Sequence, residues 1–229
     1  MYRYLPVLIV CIALNANGQF YKPLLDPLQK HELSISYNSV FSVWNTVNTE
    51  GKKQYGDPYA GYGISLFYTS IINRFFSIQT GMLYHNMGYE VSMEKHRNYE
   101  LELTNLQIPV MATLNTDKFA CFNYSVFVGP QFTYNITSTY VKPISTVALR
   151  DTSQVILSVA NVDFGIAYGA GADIALNKAK TLRIDMGYRG SLGFTDRSGP
   201  ESETNQVNII PENTTINTFG GYVGMKMVF

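Results

Sequence analysis

Cysteine is almost missing from this chain: two occur in 229 residues, Cys11 and Cys121. Cys11 lies in an N-terminal apolar run of the kind removed on export. One cysteine in the mature chain excludes an intramolecular disulfide framework. Charge is scarce too, at 15% of residues, against about 25% in ordinary soluble domains. Its signs cancel, 17 basic against 17 acidic, so no nucleic-acid partner is expected. Beyond the first 18 residues, no apolar run approaches the ~20 residues of a spanning helix. The histidines His31, His85 and His96 are scattered, with no ligand spacing on one element, so no metal site is expected. Gly169-Ala170-Gly171 is followed by no helical pattern, which removes the usual phosphate cradle and any cofactor reading. No Ser-His-Asp order has support. No catalytic residue is expected from these motifs.

What the chain does have is alternation. From Ala120 to Ile136, every second residue gives Ala120, Phe122, Tyr124, Val126, Val128, Pro130, Phe132, Tyr134 and Ile136. The intervening set is Cys121, Asn123, Ser125, Phe127, Gly129, Gln131, Thr133 and Asn135, read as the small and polar face. A period of two means a strand. Nine to eleven tilted residues cross a bilayer core, so this stretch is long enough. Aromatics sit towards both ends of its apolar face, as on a membrane-facing strand.

The same pattern predicts strands at 32–44, 59–72, 75–91, 99–114, 120–136, 158–176, 181–194 and 215–229. Connections between them run alternately long and short. Outer-membrane barrels have short periplasmic turns and longer extracellular loops. The sequence therefore predicts an all-β fold: an eight-stranded antiparallel up-and-down transmembrane β-barrel. An even strand count would leave both termini in the periplasm. Arg3, the apolar run Leu5 to Leu14, then Ala16 and Gly18 predict a signal peptide over 1–18. A lipoprotein signal ending at Cys11 is the rival, opposed by the bulk of Val10. A leader with Pro23 and Pro27 covers 19–30, and one barrel domain covers 31–229. Both Pro109 and Pro130 fall inside strands, so each should bring a bulge or a broken ladder.

A lipocalin-like soluble barrel would turn the apolar face inward. Three features favour the opposite. The polar face carries Gly61, Gly63, Gly81, Gly165, Gly169, Gly171 and Gly187, which suit a crowded lumen. It also holds Asp163, Asp173, Arg183, Asp185, Arg189 and Lys226, and buried charges persist only when paired. These six are the candidate site, expected to form a lumen ion-pair network. Cys121 is expected as a small buried residue of that face, and His85 as a hydrogen-bonded lumen residue. The third feature is the close on Met227-Val228-Phe229, which resembles the assembly signal of bacterial outer-membrane barrels.

Several short stretches carry a family likeness: Leu106-Gln107-Ile108-Pro109-Val110, Val128-Gly129-Pro130, Phe164-Gly165, Gly169-Ala170-Gly171, Arg183 to Gly193 and Gly220 to Phe229. The chain resembles the small outer-membrane β-barrel family of Bacteroidetes-type bacteria, which includes PorT-like secretion-associated members. That resemblance implies a non-enzymatic protein of the bacterial outer membrane. The implied partners are outer-membrane lipid, the barrel assembly machinery through the C-terminal strand ending at Phe229, and secretion or envelope proteins. The role would be structural, or lie in the extracellular loops; a PorT-like role or a narrow passive pore are the alternatives.

Overall fold

The computed structural model describes residues 30–47, 53–55, 58–93, 97–141, 161–196 and 214–229. The expected signal peptide at 1–18, all but the last residue of the leader at 19–30, and most of the long connections lie outside the described residues.

Alternating stretches become β1 (His31–Val47), β2 (Lys53–Tyr55), β3 (Tyr59–Ile71), β4 (Phe76–Met93) and β5 (Arg97–Asn115). They continue as β6 (Phe122–Val141), β7 (Val162–Ala175), β8 (Leu182–Gly193) and β9 (Thr214–Val228). From β3 to β9 each strand pairs antiparallel with the next, and β1 pairs with both β3 and β9. The last ladder runs from Glu32↔Val228 to Thr46↔Thr214 and closes the sheet. Eight long strands thus form a ring without a free edge, the one sheet arrangement whose backbone can sit in hydrocarbon.

The sequence reading missed β2 inside the stretch it took as a loop. It extends the β3 side of the ladder along β1, with Asn45↔Tyr55 above Ser42↔Tyr59. β6 runs on to Val141, past the expected strand end at Ile136. At its other end β6 begins at Phe122, because Ala120 closes a turn through its N–H to the Asp117 carbonyl at 3.1 Å. Cys121 belongs to that turn and is exposed, which corrects its placement as a small buried lumen residue. The alternating pattern simply runs on through the turn, so its period could not mark the end of the strand.

Each proline interrupts one ladder without changing its register. β4–β5 pairing skips the positions around Pro109, between Thr80↔Val110 and Leu83↔Gln107. β5–β6 pairing skips those around Pro130, between Pro109↔Gln131 and Ala112↔Val128. The register shift lies elsewhere, at Thr104/Asn105.

Outward positions are apolar all round the ring: Ile35 on β1, Ile64 on β3, Met82 on β4, Val110 on β5, Val128 on β6, Ile166 on β7, Met186 on β8 and Met225 on β9 are all exposed. Aromatics flank that band, with Phe122 and Tyr124 in edge contact near the short turns and Phe132 against Phe164 towards the other end. Near the termini, Tyr68 Oη and His31 Nδ1 are 2.6 Å apart. The Lys30 and His31 N–H groups donate to the Phe229 carbonyl at 3.1 and 2.9 Å, tying the start of β1 to the end of β9. Inward positions include Ser34, Ser36, Asn38, Ser65, Asn105 and Asn123, with Asp173, Arg183 and Lys226, all buried.

Candidate functional site in the barrel lumen

The lumen is built in layers. At the end that carries the short turns, where β1 begins and β9 ends, six charges meet. Glu32 comes from β1, Lys118 from the β5–β6 turn, Asp173 from β7, Arg183 and Asp185 from β8, and Lys226 from β9; all are buried. Lys118 Nζ lies 2.8 Å from Glu32 Oε2. Lys226 Nζ lies 3.2 Å from Asp173 Oδ2 and 3.3 Å from Asp185 Oδ2. Arg183 Nε pairs with Asp173 Oδ1, and its Nη2 donates to the Ala120 carbonyl at 2.9 Å. Asn123 Nδ2 donates to Asp173 Oδ2 at 3.1 Å.

Strand register explains the arrangement. Asp173 stands opposite Asp185, and Arg183 opposite Lys226. Like charges directly opposite repel. Here the two like pairs interlock, and Lys226 bridges both aspartates. Three carboxylates face three cations, so the buried layer is electrically closed, the condition under which buried charge is tolerated.

Lys118 enters this layer because its turn folds across the mouth. The Lys118 N–H donates to the Arg74 carbonyl at 2.9 Å, and Arg74 pairs with Asp117 at 3.2 Å. From the β7–β8 turn, Lys180 Nζ donates to the Phe119 carbonyl at 2.7 Å. Burial pushes the Lys118 ammonium below the ordinary lysine range; Lys226 adds to the shift, while Glu32 and Asp173 oppose it.

Above the charge layer lies an apolar belt of Phe67, Leu83, Met111, Phe127, Ala167 and Tyr222. Arg189 is set into it. Its guanidinium carbon stands 4.3 Å from the Phe67 ring centroid, 4.7 Å from Tyr222 and 5.5 Å from Phe127. Nη1 donates to Asn38 Oδ1 at 3.3 Å and to Ser65 Oγ at 3.5 Å. The rings need glycine beside them: a Cβ at Gly169 would enter the Phe127 ring, and one at Gly171 would meet the Tyr222 hydroxyl.

Towards the long connections the lining turns to hydroxyl and amide groups. Ser42 Oγ and Trp44 Nε1 both donate to the Gly88 carbonyl, at 2.8 and 3.0 Å. Ser191 and Thr218 share a hydroxyl contact of 2.7 Å. Asp163 belongs here, accepting from the Thr195 N–H at 3.1 Å, and His85 is fully buried in the lumen.

Of the six residues singled out from sequence, the structure brings Asp173, Arg183, Asp185 and Lys226 together. Arg189 stands apart in the belt and Asp163 at the far end. Sequence reasoning missed Glu32, Lys118 and the aromatic belt. Phe127 had been counted on a small, polar face, and Phe67 and Tyr222 share the parity of Ser65 and Lys226. Aromatics in register with inward glycines were the available signal. Lys118 had no periodic signal because it lies in a turn. Among the described residues, no group of three His, Cys, Asp or Glu side chains could hold a metal ion.

A model of the outer membrane protein beta-barrel domain family matches residues 19–199. No curated protein matches the chain. Among solved structures, the chain is similar to the outer membrane protein OprG from Pseudomonas aeruginosa, at 14% identity over 88% of this chain and 97% of that one, with a TM-score of 0.49. It is also similar to Ail, the attachment invasion locus protein of Yersinia pestis, at 14% identity over 86% and 99% of the two chains, TM-score 0.40. A third is the outer membrane protease OmpT from Escherichia coli, at 8% identity over 91% and 99%, TM-score 0.43.

Proposed function

The chain belongs to the outer membrane protein beta-barrel domain family, and from that premise we propose that it is a non-enzymatic integral barrel with a side-chain-filled lumen. It acts structurally, through its long extracellular connections, or through envelope partners. Both termini lie on the periplasmic side, with the short turns. Its lipid partner is the outer membrane, and its C-terminal strand ending at Phe229 is what the assembly machinery reads.

The packed middle of the lumen carries this reading. Phe67, Met111, Phe127 and Tyr222 are buried against one another across the interior. Below them the Lys118–Glu32 pair and the Asp173 cluster fill the turn end. An eight-stranded barrel has an interior just wide enough for side chains to fill. A narrow passive pore would need a continuous wet path, and the belt and the charge layer both weigh against one. Single-channel recording on the refolded protein in planar bilayers tests the proposal. The expected trace is without steady conductance; a steady, reproducible conductance overturns it.

A further inference from the structure

We propose that Arg189 is the core of an anion site, holding a small monovalent anion such as a halide inside the barrel. The argument starts from charge. Lys118, Arg183 and Lys226 each have a carboxylate at ion-pair distance. Among the described residues, no carboxylate pairs with Arg189. The inward acid on its own strand, Asp185, is engaged by Lys226 at 3.3 Å. Asp185 acts on Arg189 only from beyond ion-pair distance, so among the described residues this buried cation has no directly paired carboxylate, and poorly matched buried charge is strongly disfavoured.

The donors tell the same story. A guanidinium offers five N–H groups in one plane. Here the ring contacts with Phe67, Tyr222 and Phe127 cover its surroundings with aromatic surface. Among the described residues, only Nη1 donates to the protein, through contacts of 3.3 and 3.5 Å, at the long end of the range. Nε is buried and has no hydrogen-bond partner. Arg189 keeps 9% of its surface accessible although strands enclose it, so open space adjoins part of the side chain, while Nε itself is sealed.

Anion size and charge follow from the surroundings. The lumen of an eight-stranded barrel leaves little free volume. One unmatched positive charge calls for one negative charge. Ser36, Asn38 and Ser65 add neutral polar groups nearby, with Ser36 Oγ 2.5 Å from Ser65 Oγ and Asn38 Nδ2 donating to Ser65 Oγ at 3.1 Å. Towards the long connections, Ser191, Thr218 and Ser42 continue the polar lining. The site stands whether or not the barrel conducts.

Bromide is the probe. The full chain, refolded in detergent micelles, is titrated with sodium bromide and the bromide NMR linewidth followed. The expected result is saturable broadening that chloride displaces and that Arg189→Gln abolishes, with Arg189→Lys retaining a weaker effect. Broadening that never saturates, or that survives unchanged in Arg189→Gln, overturns the proposal. Crystals of the unmodified protein grown in bromide give a test that needs no variant to fold. An anomalous peak within hydrogen-bond distance of the Arg189 nitrogens supports the site, and a lumen without one overturns it.

Discussion

Replacing Asp173 by Asn changes one buried charge and almost no volume. Asp173 is fully buried. It takes Arg183 on one oxygen, and Lys226 and Asn123 on the other. Among the described residues, the variant would leave Arg183 with neutral acceptors, an amide oxygen at 173 and the Ala120 carbonyl, and no carboxylate at ion-pair distance, while Lys226 keeps Asp185. Stranding a buried partner costs about 3–5 kcal/mol. Lys226 retains half its pairing, so the lower end, about 3 kcal/mol, is expected. The assay is urea unfolding of the barrel refolded into lipid vesicles, read by gel mobility of folded and unfolded forms. Because the cluster is shielded from ions, the loss should be nearly the same at low and high salt. A second variant, Asp173→Asn with Arg183→Met, removes both halves of the pair and should recover much of the loss. A loss below about 1 kcal/mol, the scale of solvent-exposed pairs, or one that vanishes in salt, would refute the closed charge layer.

Other outcomes follow from the same structure. Val128 lies on the outward face between the two aromatic levels of β6; Val128→Arg should cost about 2–4 kcal/mol in the same vesicle assay. Gly171→Ala should cost about 1–3 kcal/mol by overpacking against the Tyr222 hydroxyl, and adding Tyr222→Phe should relieve most of that cost in a double-mutant cycle. Burial lowers the Lys118 pKa below its unfolded value. Between the two values the unfolded chain binds the extra proton, so the unfolding free energy should rise with pH in the alkaline range below about 10.4. Lys118→Met should lack that rise in a pH series of the same unfolding curves.

The barrel was legible because lipid and lumen impose opposite demands on alternate residues. Ile35, Ile64, Val126 and Met225 declare one face, while Gly63, Ser65 and Lys226 declare the other. Strand ends were legible only where turn residues broke the pattern, as at Asn73-Arg74. At Ala120 and Cys121 the alternation continues into a turn held by the Asp117 carbonyl, so periodicity overran the boundary. The charge cluster was half legible. Asp173, Arg183, Asp185 and Lys226 share one parity on neighbouring strands, so they could be grouped from sequence alone. Glu32 sits at the first inward step of β1, and Lys118 reaches the layer from a turn, which no strand period encodes. Asp163 and Arg189 have the right parity at different heights, and height depends on the stagger between strands. Size was the other gap: period two reports facing and not volume, so Phe67, Phe127 and Tyr222 went unrecognised as lumen filling.

Site-directed spin labelling tests orientation most directly. A Cys11→Ser, Cys121→Ser background would carry single cysteines at outward Ile35, Val128 and Met225, and at inward Ser36, Phe127 and Lys226, in protein refolded into vesicles. The account predicts that the outward labels collide freely with oxygen dissolved in the bilayer and are shielded from a water-soluble nickel reagent. It predicts that the inward labels are immobilised and reached poorly by either. Inward labels open to nickel, with outward labels shielded from oxygen, would contradict it.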